Sequence, residues 1–523
     1  MTLTFILITL IAMFGHSEDF LGTTLLNRPL VLGPLVGLVL GDLNQGIVIG
    51  ATLELIFMGN IKVGAAIPPD VITGGVLGTA FAILSGKGAA VALALAVPIS
   101  ILAEMAVSGL FIFRSGLNKK FMQHAEAGDY QKLQRLHIVS GLLKPLMMGL
   151  IVFLALQLGA DAMKALLERI PPWVHDGLQV AGNMLPALGF ALLMNVMFNK
   201  KVAPYFFLGF ILSSYLKLPM IAIGGLGVIM ALIITNITHR DAAPEDESSD
   251  DESPVLPPSF SKRDVRSLFY RSLALEANFN FETCQNTGFA FSMIPILKKI
   301  YTTKESMALA LKRHLQFFNT SPYGSTLILG IAAAMEEQNS RSKEFEAESI
   351  NTVKLGLMGP LAGIFDSLFW GTFKVIAAGV GTSLALKGNV AGPILFLLIF
   401  NVPHVVLRYH LTFIGYTQGN KFLQKIASSN VMDKLTTGAA IVGLMVVGAM
   451  PALLMSIKTP LQIGTEGSEI SVQSILDQIV PGIVPLMLTF VVFFLLKKNI
   501  KTTYLLLGLL AAGFVGSVLH VFS

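Results

Sequence analysis

Long apolar runs alternate with short polar breaks along almost the whole chain. The clearest runs are residues 91–113, 202–235, 388–406, 438–457, 480–496 and 502–522. A helix that crosses the hydrocarbon core of a bilayer needs roughly 20 mostly apolar residues. These runs therefore predict several membrane-spanning helices.

The composition supports the same fold class. Of the 523 residues, 53% are hydrophobic and 13% are charged, and the mean hydropathy is +0.70, whereas soluble domains carry about 25% charged residues. We predict an all-α, polytopic transmembrane protein. The net charge of +5 is small for this length, so we expect the bilayer and no nucleic acid as a partner. The first apolar segment lacks a basic leading region, which predicts a retained helix and not a cleaved signal peptide.

An acidic segment divides the chain into two apolar parts. Residues 241–252 contain seven acidic and no basic side chains. Such a composition buries too little apolar surface to fold. We predict two helical membrane domains, 1–240 and 259–523, joined by a disordered linker at 241–258. Lysine and arginine cluster around this linker, which places it in the cytoplasm by the positive-inside rule.

The stretch GNIKVGAAIPPD, residues 59–70, interrupts apolar sequence with charges and two consecutive prolines. Two prolines cannot continue a helix, so we predict a broken or re-entrant helix whose backbone lines a cavity. Asn60, Lys62 and Asp70 become candidate substrate-binding residues. Asp70 fits an N-cap of the next helix equally well. As alternatives to substrate binding, the Lys62 side chain reaches the membrane interface or pairs with Glu54 or Asp70.

Glu54 is a lone carboxylate deep in apolar sequence. Gly46, Gly50 and Glu54 are spaced by four residues and share one helix face, and the two glycines allow another helix to approach closely. An intramembrane carboxylate usually has a partner or lines a polar cavity. We favour substrate binding for Glu54, with a structural hydrogen bond between helices as the alternative.

The second part has an interrupted segment of the same kind. In KLGLMGPLAGIFDSLFWGT, residues 354–372, glycines and Pro360 break an apolar helix that carries Asp366 and, one turn on, Trp370. A carboxylate accepts hydroxyl hydrogen bonds and an indole face covers C–H groups, a pairing that suits a sugar. The alternative is a capped, broken helix with an interfacial tryptophan.

An amphipathic helix precedes that segment. Met307 and Leu311 recur at helical spacing in residues 304–318, which predicts a helix that packs on the membrane core. It ends at Asn319 and Thr320, two further candidate ligands, although a simple helix stop is the favoured alternative there.

The sequence lacks signatures of soluble enzymes. It contains no phosphate-binding glycine loop, no dinucleotide-binding glycine pattern and no Cys/His cluster with metal-ligand spacing. We therefore assign no catalytic residue, metal or cofactor. Paired broken segments, one in each half, are instead typical of the binding sites of transporters.

Both halves resemble subunits of one bacterial transport family, the mannose/fructose/sorbose class of sugar phosphotransferase systems (PTS). The first half resembles the IIC subunit in NRPLVLGPLVGLVLGDLNQGIVIGATLEL and GAAIPPD. The second half resembles the IID subunit in NFNFETCQNTGFAFSMIPILKKIY, KRHLQFFNTSPY, VKLGLMGPLAGIFDSLFWGT and SILDQIVPGIVPLMLTF. The resemblance covers nearly the whole chain except the acidic linker. The two subunits are usually separate chains and are fused here.

The resemblance implies a multi-pass permease of the bacterial inner membrane, commonly a homotrimer, that binds and moves a sugar. A separate IIB protein, charged through IIA, HPr and enzyme I, would phosphorylate the sugar, since no phosphorylation site is evident in this chain. Mannose-type members are expected to carry Trp and Asn just before Gly-Ala-Ala, where this chain has Asn60 and Lys62. Lys62 is therefore predicted to recognise an acidic sugar. An ion-coupled secondary sugar transporter is the alternative function.

Overall fold

A computed structural model of the protein describes most of the chain. The described residues are 2–57, 68–86, 89–169, 202–218, 220–238, 260–342, 345–426, 430–455, 457–463, 470–498, 500 and 502–522, with part of 177–194. Asn60, Lys62 and the predicted linker at 241–258 lie outside the described residues.

Helices make up the first half. After α1 a short 3₁₀ turn, Ser17–Phe20, leads through a loop to the hairpin of α2 and α3. The described helices are α1 Thr2–His16, α2 Pro29–Leu40, α3 Leu43–Ile56, α4 Val71–Ser85, α5 Ala89–Glu126, α6 Tyr130–Arg169, α7 Ala203–Ser214 and α8 Met220–Thr238.

The second half is also helical. Its helices are α9 Lys262–Ser272, α10 Asn286–Ile300, α11 Lys304–His314, α12 Ser325–Arg341, α13 Glu348–Asp366, α14 Lys374–Ala385, α15 Ala391–Ile426, α16 Asn430–Leu454, α17 Val472–Ile479, α18 Ile483–Lys497 and α19 Thr502–Val518. Within the described ranges, the strands are β1 Gln462–Ile463 and β2 Ile470–Ser471, which pair antiparallel. The predicted all-α class is confirmed.

Four described helical stretches are long and apolar enough to cross a membrane: 2–20, 95–126, 130–159 and 391–419. A fifth candidate is the pair α17 and α18, which bends by 78° at its break. The predicted run at 202–235 forms two helices, α7 and α8, because a turn with Lys217 at φ 52° separates them. The chain is a multi-pass membrane protein.

The α2–α3 hairpin brings two backbones into contact. A Cβ on Gly46 would lie 2.6 Å from the Gly33 carbonyl oxygen and 2.7 Å from the Gly37 Cα. A Cβ on Gly50 would lie 2.6 Å from the Pro29 carbonyl oxygen. The close approach predicted for the Gly46–Gly50 face is confirmed, and it holds α3 firmly against α2.

Helix α11 packs on the core, as the amphipathic pattern predicts. Met307 and Leu311 are buried, whereas Lys304 and Lys312 are exposed. The Thr303 hydroxyl accepts a hydrogen bond from the Ser306 backbone N–H and so caps the first turn.

The helix break predicted around Pro360 lies elsewhere. Helix α13 continues through Pro360 to Asp366, and a π-helical segment, Ser367–Phe373, leads directly into α14. The missing proline N–H costs a helix one hydrogen bond, and here the helix tolerates that loss. The irregular backbone lies instead in the π-helical segment that contains Trp370. Such π-helical turns are frequent at functional sites.

The two halves share one apolar core and buried polar contacts. The Phe111 and Phe279 rings, one from each half, lie 5.3 Å apart between centroids. The fully buried Arg114 guanidinium donates to the Ser140 carbonyl at 2.9 Å and to the Phe279 carbonyl at 3.5 Å. A buried donor left without a partner costs about 1–3 kcal/mol, so these bonds restrict how the halves can fit together.

We expect Gly46→Ala to lower the free energy of unfolding by about 2 kcal/mol, because the new methyl group must push α2 away from α3. Thermal unfolding in detergent measures the change. Gly225→Ala in α8 is the matched control, since a Cβ there meets no atom within 4 Å, and it should be neutral or stabilising by about 1 kcal/mol. Equal effects of the two substitutions would contradict the close contact between α2 and α3.

Candidate functional site

A partly open polar cavity lies where the two halves meet. Its empty volume is about 870 Å³, counting the part that opens to solvent. The first half lines it with parts of 18–28 and 68–72, together with Val107, Phe111 and Lys144. The second half adds Glu276, Pro322 and Trp370.

Charged side chains dominate the polar wall. The lining carboxylates are Glu18, Asp19, Asp70 and Glu276, and the lining bases are Arg28 and Lys144. Lys144 Nζ lies 2.9 Å from an Asp19 carboxylate oxygen, in a pair whose side chains are each 11% exposed. This pair neutralises one acid and one base at the edge of the cavity.

Arg28 is held by a buried carboxylate behind the wall. Its Nε lies 2.9 Å from Glu54 Oε1 and its Nη2 lies 2.8 Å from the same oxygen. Nη2 also donates to the Phe57 carbonyl at 2.7 Å. Both side chains are almost fully buried. Arg28 is therefore a rigid donor at the cavity, and Glu54 orients it.

Asp70 caps the N-terminus of α4 at the cavity. Its Oδ1 accepts from the Thr73 backbone N–H at 2.7 Å, and its Oδ2 lies 3.8 Å from His16 Nδ1. His16 Nε2 is 3.1 Å from the Thr73 hydroxyl. The N-cap role offered by the sequence is confirmed. A carboxylate has about four acceptor positions, so capping leaves capacity for a ligand.

Glu276 belongs to the second half and connects both. Its Oε2 accepts from the Thr23 hydroxyl and its Oε1 from the Gln285 amide, each at 3.2 Å. Gln285 in turn makes two bonds with the Thr320 backbone, donating to its carbonyl at 2.9 Å and accepting from its N–H at 3.0 Å. Thr320 thus supports the cavity from behind.

Trp370 supplies an aromatic wall. It is 9% exposed and lines the cavity. The Tyr323 ring packs edge-on against it at 5.8 Å between centroids, and Lys374 Nζ lies 5.3 Å from the centre of the indole. An indole fixed in this way offers a flat apolar surface beside the carboxylates.

The structure brings together some of the residues that the sequence singles out. Asp70 and Trp370 line the cavity. Glu54 bonds to the lining residue Arg28, and Thr320 bonds to Gln285, which bonds to the lining residue Glu276. Asn319 donates its backbone N–H to the Met358 sulfur. Asp366 lies next to the Ser321 side chain. Neither Asn319 nor Asp366 is among the described lining residues.

Several lining residues escape the sequence analysis. Glu18, Arg28, Lys144 and Glu276 are all at least partly buried. Arg28, Lys144 and Glu276 are each an isolated charge in apolar sequence, whereas Glu18 is followed directly by Asp19. Such charges are expensive inside a membrane and deserve a functional hypothesis. A charge in apolar sequence can therefore be recognised from the sequence, but the sequence does not indicate which distant charges come into contact.

A helical membrane protein whose two halves enclose a polar cavity is typical of solute transporters. Comparison with protein families specifies the class. A model described as the PTS mannose/fructose/sorbose family IID component matches residues 259–522, and one described as the PTS sorbose-specific IIC component matches residues 2–233. The chain therefore belongs to the mannose/fructose/sorbose PTS family and is a fused IIC–IID sugar permease component.

Individual relatives match one half each. The mannose-specific EIID component of Escherichia coli K12 is 38% identical over 263 residues, 49% of this chain and 93% of that protein. The fructose permease IID component of Bacillus subtilis is 39% identical and covers 49% of this chain and 95% of its own length. The mannose-specific EIIC component of E. coli K12 is 28% identical, and the match covers 46% of this chain and 90% of that protein.

A chain in the cryo-EM structure of the mannose transporter ManYZ with microcin E492 is also similar. It is 36% identical, with a TM-score of 0.48, and the match covers 50% of this chain and 98% of that one.

We expect Glu54→Gln to lower the free energy of unfolding by about 3 kcal/mol, because it leaves the Arg28 guanidinium buried without its counter-charge. Chemical or thermal unfolding in detergent measures the loss. Glu126→Gln removes an acid from the exposed Lys312–Glu126 pair and should change stability by no more than about 0.5 kcal/mol. A Glu54→Gln protein as stable as this control would contradict the assigned ion pair.

Proposed function

We propose that this chain binds a sugar in the cavity between its halves and moves it across the membrane for phosphorylation by a separate IIB protein. One observation carries the proposal. The IIC-like half supplies Arg28 and Asp70, and the IID-like half supplies Glu276 and Trp370, to one polar cavity. Neither half alone contains that set of groups.

The chemistry of the wall suits a polyol. Asp70 and Glu276 would accept hydrogen bonds from sugar hydroxyls, and Arg28 would donate to a hydroxyl or ring oxygen. Trp370 would cover the C–H face of the ring. In this proposal Glu54 orients Arg28, and Thr320 supports Glu276 through Gln285. Both are positioning residues and do not contact the sugar.

The charge of the described wall favours a neutral sugar. Four carboxylates and two bases line it, and an added anion would meet that excess of acids. The relatives named for mannose and fructose point to a neutral hexose as well. Lys62 remains a candidate for recognising an acidic substituent, and the sugar panel below tests it.

The remaining expectations follow the family. We extend to this chain the supply of phosphate by IIA and IIB, with HPr and enzyme I upstream, a location in the bacterial inner membrane, and a cytoplasmic position for the 241–258 linker. A homotrimer is expected on the same ground. The chain would supply binding and translocation, and IIB would supply the phosphoryl transfer.

We expect vesicles that carry this chain to produce sugar phosphate only when the cognate IIA and IIB, HPr, enzyme I and phosphoenolpyruvate are all present. The panel consists of labelled mannose, fructose, sorbose, an amino sugar and a sugar acid, and the product is separated from free sugar by anion exchange. Accumulation of free sugar without the relay would overturn the proposal in favour of an ion-coupled carrier.

We expect Glu276→Gln to raise the half-saturating sugar concentration about tenfold, since hydrogen bonds to a charged acceptor are worth about 1.5–3 kcal/mol. Uptake against sugar concentration measures the change. Glu305→Gln on the exposed first turn of α11 removes the same charge away from the cavity and should leave uptake unchanged. A normal half-saturating concentration in Glu276→Gln would remove Glu276 from the site.

A further inference from the structure

The loop between the 3₁₀ turn and α2, residues 21–28, has a strained backbone. We refer to it as the cavity loop. Gly22 has φ +81°, Thr23 has φ +65° and Leu25 has φ +62°. The left-handed conformation is unfavourable for residues other than glycine, and a β-branched residue such as threonine is a genuine outlier there. Such strain persists only when surrounding contacts enforce it.

The enforcing contacts come largely from the second half of the chain. Asn401 Nδ2 donates to the Thr24 carbonyl at 2.8 Å, and Arg408 Nη1 donates to the Gly22 carbonyl at 3.0 Å. Both residues lie on α15, seven positions apart and hence on one face. Arg408 Nη2 also donates to the Ser272 carbonyl at the end of α9, so it joins the loop to two elements of the second half.

Apolar packing fastens the loop at the same place. Leu25 is 1% exposed and belongs to a buried cluster with Tyr323, Phe369 and Phe400, all from the second half. The Leu25 N–H is bound by a Glu18 carboxylate oxygen at 2.7 Å. A side chain at Gly22 would collide with Arg408, because a Cβ there lies 2.7 Å from Nη1.

The loop carries four of the residues that line the cavity, Thr23, Leu25, Asn27 and Arg28. We infer that Asn401 and Arg408 are positioning residues, which hold the cavity loop in its strained conformation and so set its polar side chains around the sugar. The part of the binding site that the cavity loop supplies therefore depends on contacts with the second half. This inference rests on the proposed sugar-binding function. Asn401 and Arg408 are not among the described lining residues, so they act through the loop.

Asn401→Ala in the full chain tests this role. Losing the bond to Thr24 should release strain and raise the half-saturating concentration about five- to tenfold. The probe is whichever of labelled mannose, fructose or sorbose the unmodified protein phosphorylates with its relay. Hydrogen exchange followed by mass spectrometry, without sugar, should show faster exchange in the peptide that contains residues 21–28. Thr417→Ala on the same helix, whose exposed hydroxyl donates to the Phe413 carbonyl one turn earlier, should change neither measurement.

The two readouts separate the possible results. Faster exchange together with weaker sugar binding supports the positioning role. Faster exchange with unchanged sugar binding, or unchanged exchange in the loop, overturns it. If Asn401→Ala does not accumulate in membranes, Asn401→Ser is used and decides in the same way. Failure of the unmodified protein to phosphorylate any sugar would instead refute the proposed function, while the exchange measurement would still report whether α15 holds the loop.

Discussion

The burial of the Arg28–Glu54 ion pair is the constraint on which the rest of the site depends. Arg28 is 3% exposed and Glu54 is 0% exposed, and neither charge is stable in such surroundings without the other. The pair ties the start of α2 to the end of α3, whose glycine faces already press the two backbones together. The pair thereby fixes the guanidinium at the cavity wall. Removing the two charges from water costs free energy, and apolar side chains would hold a purely structural hairpin together without that cost.

The same reasoning explains how the two halves meet. Buried polar groups of the first half bond to groups of the second, as Arg114 Nη1 does with the Phe279 carbonyl and the Thr23 hydroxyl does with Glu276. Each such bond would leave a buried donor or acceptor unsatisfied if the halves separated. The halves therefore pack together as one unit.

The cavity combines rigidity with spare hydrogen-bonding capacity. Asp70 is fixed by a cap that leaves acceptor positions on its carboxylate, and Glu276 accepts hydrogen bonds from two neutral donors, so both carboxylates are held in place. Trp370 lies in the π-helical segment between α13 and α14. Groups held in this manner lose little conformational entropy when a ligand binds.

Much of this protein follows from its sequence. The apolar runs determine the helical membrane class, and the spacing of Gly46 and Gly50 predicts their close packing. Both predictions are confirmed because each depends on local periodicity. Asp70 and Trp370, which the sequence singles out, line the cavity, and their role as sugar ligands stays a prediction. Tertiary structure alone decides that Glu54 pairs with Arg28, that Thr23 bonds to Glu276 across 253 positions, and that α13 continues through Pro360. No local pattern specifies those outcomes, because the free energy of a buried charge or a strained loop depends on groups that only folding brings into contact.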